Sequence, residues 1–243
     1  MEQSMLKAMI FDLDDTLYAY EPLDKKARIN VEKFTCEALG ISGEQYKEAY
    51  RFGREETKKR LPDVGAGHNR LLYCQKTLEY LGVPPMPLSL RMYEQYWGTF
   101  LREMQLFPGV KELFSLLEEK QIPIMICTDL TAHVQHRKIE ALGIASDIKY
   151  LVSSEEAGKE KPAREIFDLC LEKLNLPPEH IWYVGDNFKK DVEGAMQAGI
   201  QAVWFHPQES IVKNPDSKDK TAYLEAGNYQ ELKNMVAEEL KMS

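Results

Sequence analysis

Short apolar runs alternate with amphipathic segments over most of the chain. The runs are typical of buried strands, and they cover residues 8–11, 122–127, 148–152, 181–184 and 202–205. Segments with apolar residues at helical spacing accompany the later runs, at 110–120, 132–142, 163–174 and 189–198. Strands and helices that alternate in this way predict a parallel sheet with helices on both of its faces.

The stretch from residue 20 to residue 105 lacks such apolar runs. Its pattern predicts four helices instead, at 25–39, 43–61, 69–81 and 88–104. We therefore expect two domains, because two kinds of layer follow one another in one chain. They are an α/β core formed by residues 1–19 and 106–243, and an α-helical domain, residues 20–105, inserted after the first strand. A polar surface loop at 213–220 and a last helix at 228–241 are also expected.

Composition narrows the class of protein. The 243 residues are 44% hydrophobic and 29% charged, which is typical of a globular protein. No apolar run is long enough to span a membrane and no secretory signal begins the chain, so we expect a cytoplasmic protein with no membrane partner. The net charge of −8 argues against a nucleic-acid partner. Four scattered cysteines without a CxxC pair argue against a disulfide framework or a zinc site.

Two carboxylates, those of Asp12 and Asp14, directly follow the first strand. Open α/β sheets bind their ligands at the carboxyl ends of strands. Carboxylates this close together repel each other unless a cation lies beside them, and their oxygens favour Mg²⁺. An aspartate-rich turn without a ligand is the alternative, since Asp favours turns.

Chemically active groups also follow the later strands. Thr128 and Asp129 end the second run, Asp186 and Asp191 follow the fourth, and Lys161 precedes a helix. Such positions converge at one edge of a parallel sheet. A hydroxyl, an ammonium group and several carboxylates that hold a metal ion suit a phosphoryl group, because cations neutralise its charge while donors position its oxygens.

This ordered set resembles the haloacid dehalogenase-like (HAD) hydrolase superfamily. The first motif of that family, DxDxT, matches Asp12 to Thr16, and the second, a hydroxyl residue after an apolar strand, matches Thr128. The third, a lysine often followed by proline, matches Lys161, and the fourth, GDxxxxD, matches residues 185–191. The resemblance implies a Rossmann-like parallel-sheet core, and it implies that the insertion at 20–105 is a helical cap of the C1 type.

The resemblance also implies a role for each motif residue. Asp12 would be the nucleophile that forms an aspartyl-phosphate, and Asp14 would be the general acid and base. Mg²⁺ would be the cofactor, held by the Asp12 carboxylate, the Asp14 backbone carbonyl and Asp186. Asp191 would orient this metal site without binding the metal.

A phosphate-binding set follows from the same resemblance. Thr128 would donate its hydroxyl to the phosphate, and Lys161 would pair with both the phosphate and Asp12. Backbone N–H groups of Leu13 and Asp129 would be further donors. These groups would together hold the phosphoryl oxygens while the nucleophile attacks.

The acid at Asp14 favours phosphate-ester chemistry over dehalogenation or phosphonate cleavage, because an alkoxide leaving group needs a proton. Asp15 stands where many relatives have Gly, and Asp tolerates turn geometry.

We expect a Mg²⁺-dependent phosphomonoesterase for a small phosphorylated metabolite, a sugar phosphate or nucleotide, acting as a monomer or homodimer. A phosphomutase would keep the same acid and is one alternative. A non-catalytic phosphate-binding protein or a receiver-like signalling domain is the alternative from another class.

Polar residues of the helical segment are candidate substrate contacts. A glycine-rich loop contains His68 and Arg70, and caps of the resembled family present such a loop to the active site. An ordinary loop with Asn69 as helix N-cap is the alternative. His133 and His136 are expected to lie on a solvated helix face, because no further metal ligands accompany them. A basic run is also predicted to be solvated, with contact to an anionic substrate as the alternative: Arg51, Arg54, Lys58, Lys59 and Arg60.

Overall fold

The computed structural model describes residues 6–207 and 223–241. Within these residues, one sheet of six parallel strands has the order β3-β2-β1-β4-β5-β6. The strands are β1 (Ala8–Phe11), β2 (Ile124–Thr128), β3 (Ile148–Ser153), β4 (Ile181–Gly185), β5 (Gln201–Phe205) and β6 (Leu224–Ala226). All five predicted strands are present. The short edge strand β6 was missed, because three residues with Glu225 at the centre leave no apolar run.

The strand β1 lies at the centre of the sheet, between β2 and β4, and all four of its residues are buried. Strand order reverses at this position, since the chain proceeds from β1 to β2 and β3 on one side and to β4, β5 and β6 on the other. Ligands of open α/β sheets bind at such a switch point. The topology therefore places the ends of β1, β2 and β4 at the expected binding edge, and the predicted Rossmann-like core is confirmed.

In chain order, four long helices follow β1 and precede β2. They are α1 (Tyr20–Leu39), α2 (Gly43–Arg60), α3 (Arg70–Tyr80) and α4 (Leu88–Arg102). Helix α1 packs against α4, and α2 packs against α3. A single apolar cluster connects them to the sheet, where the ring of Tyr18 meets that of Phe100 edge-on at 6.1 Å between centroids. The division into two domains stays a prediction.

Helix α1 begins at Tyr20, five residues before the predicted start at Lys25. The backbone N–H of Tyr20 donates to the Asp15 carboxylate at 2.8 Å. This contact satisfies one of the free N–H groups at the helix start. Pro22 is tolerated there, because a proline in the first turn costs no helical hydrogen bond. The earlier start places the beginning of α1 beside the first motif.

The remaining helices flank the sheet. They are α5 (Val110–Glu119), α6 (Ala132–Ala141), α7 (Ser154–Ala157), α8 (Arg164–Leu174), α9 (Glu193–Gln197) and α10 (Tyr229–Glu239). The helical segment predicted at 189–198 is present, but its first part is wound as a π-helical turn at Phe188–Val192 and only the rest is the α-helix α9.

The π-helical turn brings Asp191 against the end of β4. The backbone N–H of Asn187 donates to the Asp191 carboxylate at 3.0 Å, so the turn folds back on the strand end. A Cβ atom at Gly185 would lie 2.5 Å from the Asp191 carboxyl carbon. The glycine of the fourth motif is therefore required by this close approach.

All four cysteines are free, and Cys127 and Cys170 are fully buried, as expected from their apolar contexts. In the described part of the chain, no helix has both the length and the apolar character needed to cross a membrane. The predicted polar loop at 213–220 lies outside the described residues.

Candidate active site

The carboxyl ends of β1, β2 and β4 face helices α1–α3 across a cavity of about 490 Å³. The side chains nominated from the sequence line this cavity together: Asp12, Asp14, Thr128, Asp129, Lys161, Asp186 and Asp191 from the sheet side, and His68 and Arg70 from the helical side. Leu13, nominated for its backbone N–H, has its side chain in the apolar core. The convergence expected from strand topology is therefore present.

Lys161 lies at the bottom of the site, where its side chain is 3% exposed. Its Nζ is 2.6 Å from Asp12 Oδ1 and 2.6 Å from Asp191 Oδ1. Burial alone lowers the pKa of Lys161, but the two carboxylates outweigh it and raise the pKa well above its usual value. Lys161 is therefore a permanently charged ammonium group that holds one oxygen of Asp12 in place.

Three carboxylates form a cluster that fits a divalent cation. Oxygen atoms of Asp12, Asp186 and Asp191 all lie within 4.8 Å of one another. Burial and the charges of Asp191 and Asp15 raise the pKa of Asp186 to about 7. Burial, against the opposing charge of Lys161, also raises the pKa of Asp12. Lys161 carries one positive charge, so it leaves part of the negative charge of the three carboxylates uncompensated. Three carboxylates supply hard oxygen donors, which suit Mg²⁺.

Asp191 uses both of its oxygens within the protein. Oδ1 accepts from Lys161 and from the Tyr183 hydroxyl at 3.1 Å, while Oδ2 accepts from the Asn187 backbone N–H. Its side chain is 1% exposed. This bonding leaves Asp12 and Asp186 as the cluster members with more free oxygen positions.

Thr16 joins the first and fourth motifs through contacts that were not predicted from the sequence. Its hydroxyl oxygen accepts from the Asp186 backbone N–H at 3.1 Å. The same hydroxyl lies 3.4 Å from Asp12 Oδ2 and 3.4 Å from Asp186 Oδ1. The threonine of the DxDxT motif therefore links the ends of β1 and β4. Its place in that motif was the feature of the sequence that could have marked it as a site residue.

Asp14 is bound to a lysine that was not predicted from the sequence. Lys138 Nζ, on α6, lies 2.7 Å from each carboxylate oxygen of Asp14, and the Tyr18 hydroxyl donates to the same carboxylate at 2.6 Å. The lysine side chain is completely buried, whereas the Asp14 side chain is 25% exposed. Burial lowers the pKa of Lys138, opposed by the charge of Asp14. The pair holds the carboxylate at the edge of the cavity.

Aromatic rings surround the Lys138 ammonium group. Its Nζ lies within cation–π distance of Trp97 at 5.6 Å and of Tyr20 at 5.5 Å from the ring centroids. The signal in the sequence was a lysine on the buried face of an amphipathic helix, beside Val134 and Ile139. A charged residue at such a position requires a partner.

Thr128 and Asp129 are held by residues from neighbouring elements. The side-chain amide of Gln135 donates to the Thr128 hydroxyl oxygen at 2.7 Å and to the Asp129 backbone carbonyl at 2.6 Å. The Asp129 carboxylate accepts from the Lys161 backbone N–H at 3.0 Å and pairs with Lys190 at 2.7 Å. Gln135 and Lys190 were not nominated from the sequence. The network fixes the turn after β2 against the third motif.

His68 and Arg70 lie at the cavity but are already bonded. His68 Nε2 is 3.2 Å from the Glu160 carboxylate. The Arg70 guanidinium donates to the His68 carbonyl at 2.8 Å and to the Tyr20 hydroxyl, and it lies over the Tyr73 ring at 5.4 Å. The expected loop is a 3₁₀ turn at Gly65–His68.

Asn69 caps α3, as the alternative interpretation of this loop predicted. Asp15 has φ 59°, the left-handed geometry that its position in place of glycine had suggested. His133 and His136 are exposed and do not line the cavity. Of the basic run on α2, Arg51, Arg54, Lys59 and Arg60 are exposed as predicted and Lys58 is half-buried, while Arg54 and Lys58 also line the cavity.

Comparison with known proteins agrees with this geometry. A family model of haloacid dehalogenase-like hydrolases matches residues 6–199. The chain belongs to this family of hydrolases, so the resemblance seen in the motifs is confirmed.

Two similar proteins are named as phosphatases. Ribulose-1,5-bisphosphate 5-phosphatase from Halopiger xanaduensis is 35% identical over 207 residues, covering 84% of this chain and 87% of that protein. Glyceraldehyde 3-phosphate phosphatase from Methanopyrus kandleri is 31% identical over 235 residues, covering 96% and 98%.

A solved structure supports the fold. The crystal structure of a 2-haloacid dehalogenase from Pseudomonas syringae pv. Tomato matches with a TM-score of 0.78 at 24% identity, covering 96% of this chain and 99% of that chain. At this identity the likeness concerns the arrangement of helices and strands alone.

Proposed function

We propose that the protein is a Mg²⁺-dependent phosphomonoesterase that hydrolyses a small sugar phosphate through an aspartyl-phosphate on Asp12. The observation that carries this proposal is the position of Asp12. One of its oxygens is bound by Lys161 at 2.6 Å, and its carboxylate belongs to the cluster with Asp186 at the cavity. A carboxylate oriented by a cation in this way suits nucleophilic attack on phosphorus.

The residues around Asp12 would bind and orient the phosphate. Lys161 and the Thr128 hydroxyl lie at the cavity, where they would contact the phosphoryl oxygens. The Thr128 oxygen accepts its hydrogen bond from Gln135, so its own proton is free to turn from the Asp129 carbonyl, 3.3 Å away, to a substrate oxygen. Backbone N–H groups of Leu13 and Asp129 would complete the set of donors.

Asp14 would transfer the protons. When its carboxyl is protonated, it would donate to the leaving alkoxide oxygen, and it would later take a proton from the water that attacks the aspartyl-phosphate. Such an acid is needed because a sugar alkoxide is a poor leaving group. The contact with Lys138 would have to loosen for protonation, since both Asp14 oxygens are bound to that ammonium group.

Asp12, Asp186 and the Asp14 backbone carbonyl would hold the metal ion. When bound, Mg²⁺ supplies the positive charge that offsets repulsion between the nucleophilic carboxylate and the phosphate. Asp191 would position Lys161 through their 2.6 Å contact.

Residues 20–105 would act as a cap on the core formed by 1–19 and 106–243. Their helices form one wall of the cavity and carry His68 and Arg70 to it. Such a wall would exclude bulk water from the aspartyl-phosphate until Asp14 can activate one water molecule. The names of the two similar phosphatases favour a phosphorylated sugar or triose over a nucleotide.

The test is phosphate release from p-nitrophenyl phosphate and from ribulose 1,5-bisphosphate, with and without Mg²⁺. We expect Mg²⁺-dependent release, and we expect Asp12→Asn to abolish it while the circular dichroism spectrum stays unchanged. Asp168→Asn, at an exposed ion pair on α8, is the matched control and should retain full activity. Full turnover by Asp12→Asn would refute the nucleophile. Isomerisation of a sugar phosphate without free phosphate would instead indicate a phosphomutase.

A further inference from the structure

A stripe on one face of α2 brings two cations to the helical wall of the cavity that Asp12 lines from the sheet side. Tyr50, Arg54 and Lys58 follow one another at one-turn spacing on α2, and all three line the cavity. The Tyr50 ring packs edge-on against Tyr73 at 6.2 Å between centroids, which fixes the beginning of the stripe. Arg54 is exposed and Lys58 is half-buried, so both can meet a ligand.

These two cations differ from the others around the cavity in having no acidic partner. Arg28 pairs with Asp24 at 2.9 Å, Lys190 pairs with Asp129 at 2.7 Å, and Lys161 is held between two carboxylates. Among residues 6–207 and 223–241, no carboxylate oxygen lies within 4.0 Å of the charged nitrogens of Arg54 or Lys58. The positive charges of Arg54 and Lys58 are therefore not neutralised by an ion pair on this wall.

The surroundings of Lys58 add to this excess. Burial, followed by the charges of Arg54 and Arg70, lowers the pKa of Lys58. Glu160 opposes the shift, but its carboxylate is already engaged by His68 at 3.2 Å and by Lys190 at 3.5 Å. A cation crowded by other cations is stabilised most by an added anion.

We propose that Arg54 and Lys58 bind a second phosphate of the substrate while the first phosphate lies at Asp12. The preferred substrate is then a bisphosphorylated sugar or polyol. This proposal rests on the proposed function and deepens it. A guanidinium group and an ammonium group one helical turn apart match the several oxygens of a phosphate, and the cavity of about 490 Å³ has the size of a small-molecule site.

The test compares ligands that differ only in their second anionic group. Binding of propane-1,3-, butane-1,4- and pentane-1,5-bisphosphonate to the Mg²⁺-loaded protein is measured by calorimetry beside the monophosphonates of equal chain length. We expect at least one bisphosphonate to bind about tenfold more tightly than its monophosphonate. We expect that ratio to fall close to one in the double variant Arg54→Gln, Lys58→Gln.

Lys59→Gln is the matched control, because Lys59 is exposed on the same helix and does not line the cavity. It should keep the wild-type ratio. Equal affinity for mono- and bisphosphonates of every length in the wild type would overturn the subsite, and so would an unchanged ratio in the double variant. Failure of the proposed function is seen separately, as absence of Mg²⁺-dependent p-nitrophenyl phosphate hydrolysis, because calorimetry does not depend on turnover.

Discussion

Lys138 Nζ lies 2.7 Å from both carboxylate oxygens of Asp14, although the lysine belongs to α6 and the aspartate follows β1. The ammonium group is fully buried among aromatic rings, so the ion pair is the main reason that it is tolerated there. The contact also determines where the proposed acid and base stands. Lys138 is therefore a positioning residue for Asp14.

Replacing Lys138 by methionine should reduce kcat more than it raises KM. The change keeps side-chain bulk but frees the Asp14 carboxylate, and we expect kcat to fall about 10- to 100-fold because a misplaced acid protonates poorly. Stability should fall by about 2 kcal/mol, less than for a fully buried pair, because Asp14 is 25% exposed. The measurements are steady-state kinetics and urea unfolding.

Lys120→Met, at an exposed lysine after α5, is the control for this experiment. It should change neither kcat nor stability. A Lys138→Met protein that is less stable but has wild-type kcat would limit Lys138 to a purely structural role.

Asp14→Asn should separate the two halves of the reaction. An amide cannot activate the water, so with p-nitrophenyl phosphate we expect a burst of nitrophenolate equal to the enzyme concentration, followed by turnover reduced about 10²- to 10⁴-fold. With a sugar phosphate, whose alkoxide needs a proton, the burst itself should disappear. Stopped-flow absorbance measures the burst of nitrophenolate, and a rapid-quench assay of the released sugar alcohol measures the burst from the sugar phosphate, because the phosphoryl group stays on Asp12 until water attacks. A uniform loss on both substrates, without a burst, would contradict the proposed proton transfers.

The convergence of reactive side chains at the strand ends was predictable from the sequence, because it depends only on chain order and sheet topology. Asp12, Thr128 and Asp186 each follow an apolar run, and parallel strands must end at the same edge. Lys161 was found through its motif rather than through periodicity. The arrangement of these residues about the cavity therefore required no knowledge of side-chain contacts.

Contacts between elements far apart in the chain were not predictable in this way. The sequence indicates that Lys138, on the buried face of α6, requires a partner, but which residue it meets depends on how that helix packs on the sheet, so Asp14 could not be predicted as the partner. The sequence alone predicts that Arg54 and Lys58 lie on a solvated helix face. That they also line the cavity follows only from the packing of α2. The π-helical winding of Phe188–Val192 was not predicted, because apolar spacing does not distinguish a π-helical turn from an α-helix.

Mg²⁺ should stabilise the protein more at pH 8 than at pH 6. The pKa of Asp186 is raised to about 7 in the metal-free protein, so at pH 6 the metal must displace a proton. Because this folded-state pKa lies above the usual value, the metal-free protein loses stability as pH rises through about 7, and the cation restores it. Thermal unfolding at both pH values, with and without Mg²⁺, measures the difference.

Asp186→Asn should remove both effects, whereas Asp168→Asn should leave them as in the wild type. A Mg²⁺-induced rise in Tm of equal size at pH 6 and pH 8 would show that the carboxylates of the cluster do not compete with protons for the metal.

Two glycines of the helical segment should respond in opposite directions to alanine. A Cβ at Gly53, on α2, would lie 2.7 Å from the Tyr73 carbonyl oxygen and 2.9 Å from the Thr77 backbone nitrogen, so Gly53→Ala must force α2 away from α3. We expect the free energy of unfolding to fall by about 1–3 kcal/mol. At Gly98, on α4, a Cβ meets no atom within 4 Å, so Gly98→Ala should gain about 0.5–1 kcal/mol.

The same pair tests whether the docking of α2 matters for the ligand. Since α2 carries Arg54 and Lys58, Gly53→Ala should also reduce the preference for bisphosphonates over monophosphonates, while Gly98→Ala should retain it. Chemical unfolding and calorimetry on both variants measure the two effects. A Gly53→Ala protein with wild-type stability would contradict the close packing of α2 on α3, and an unchanged bisphosphonate preference in a destabilised protein would show that the stripe tolerates a shift of its helix.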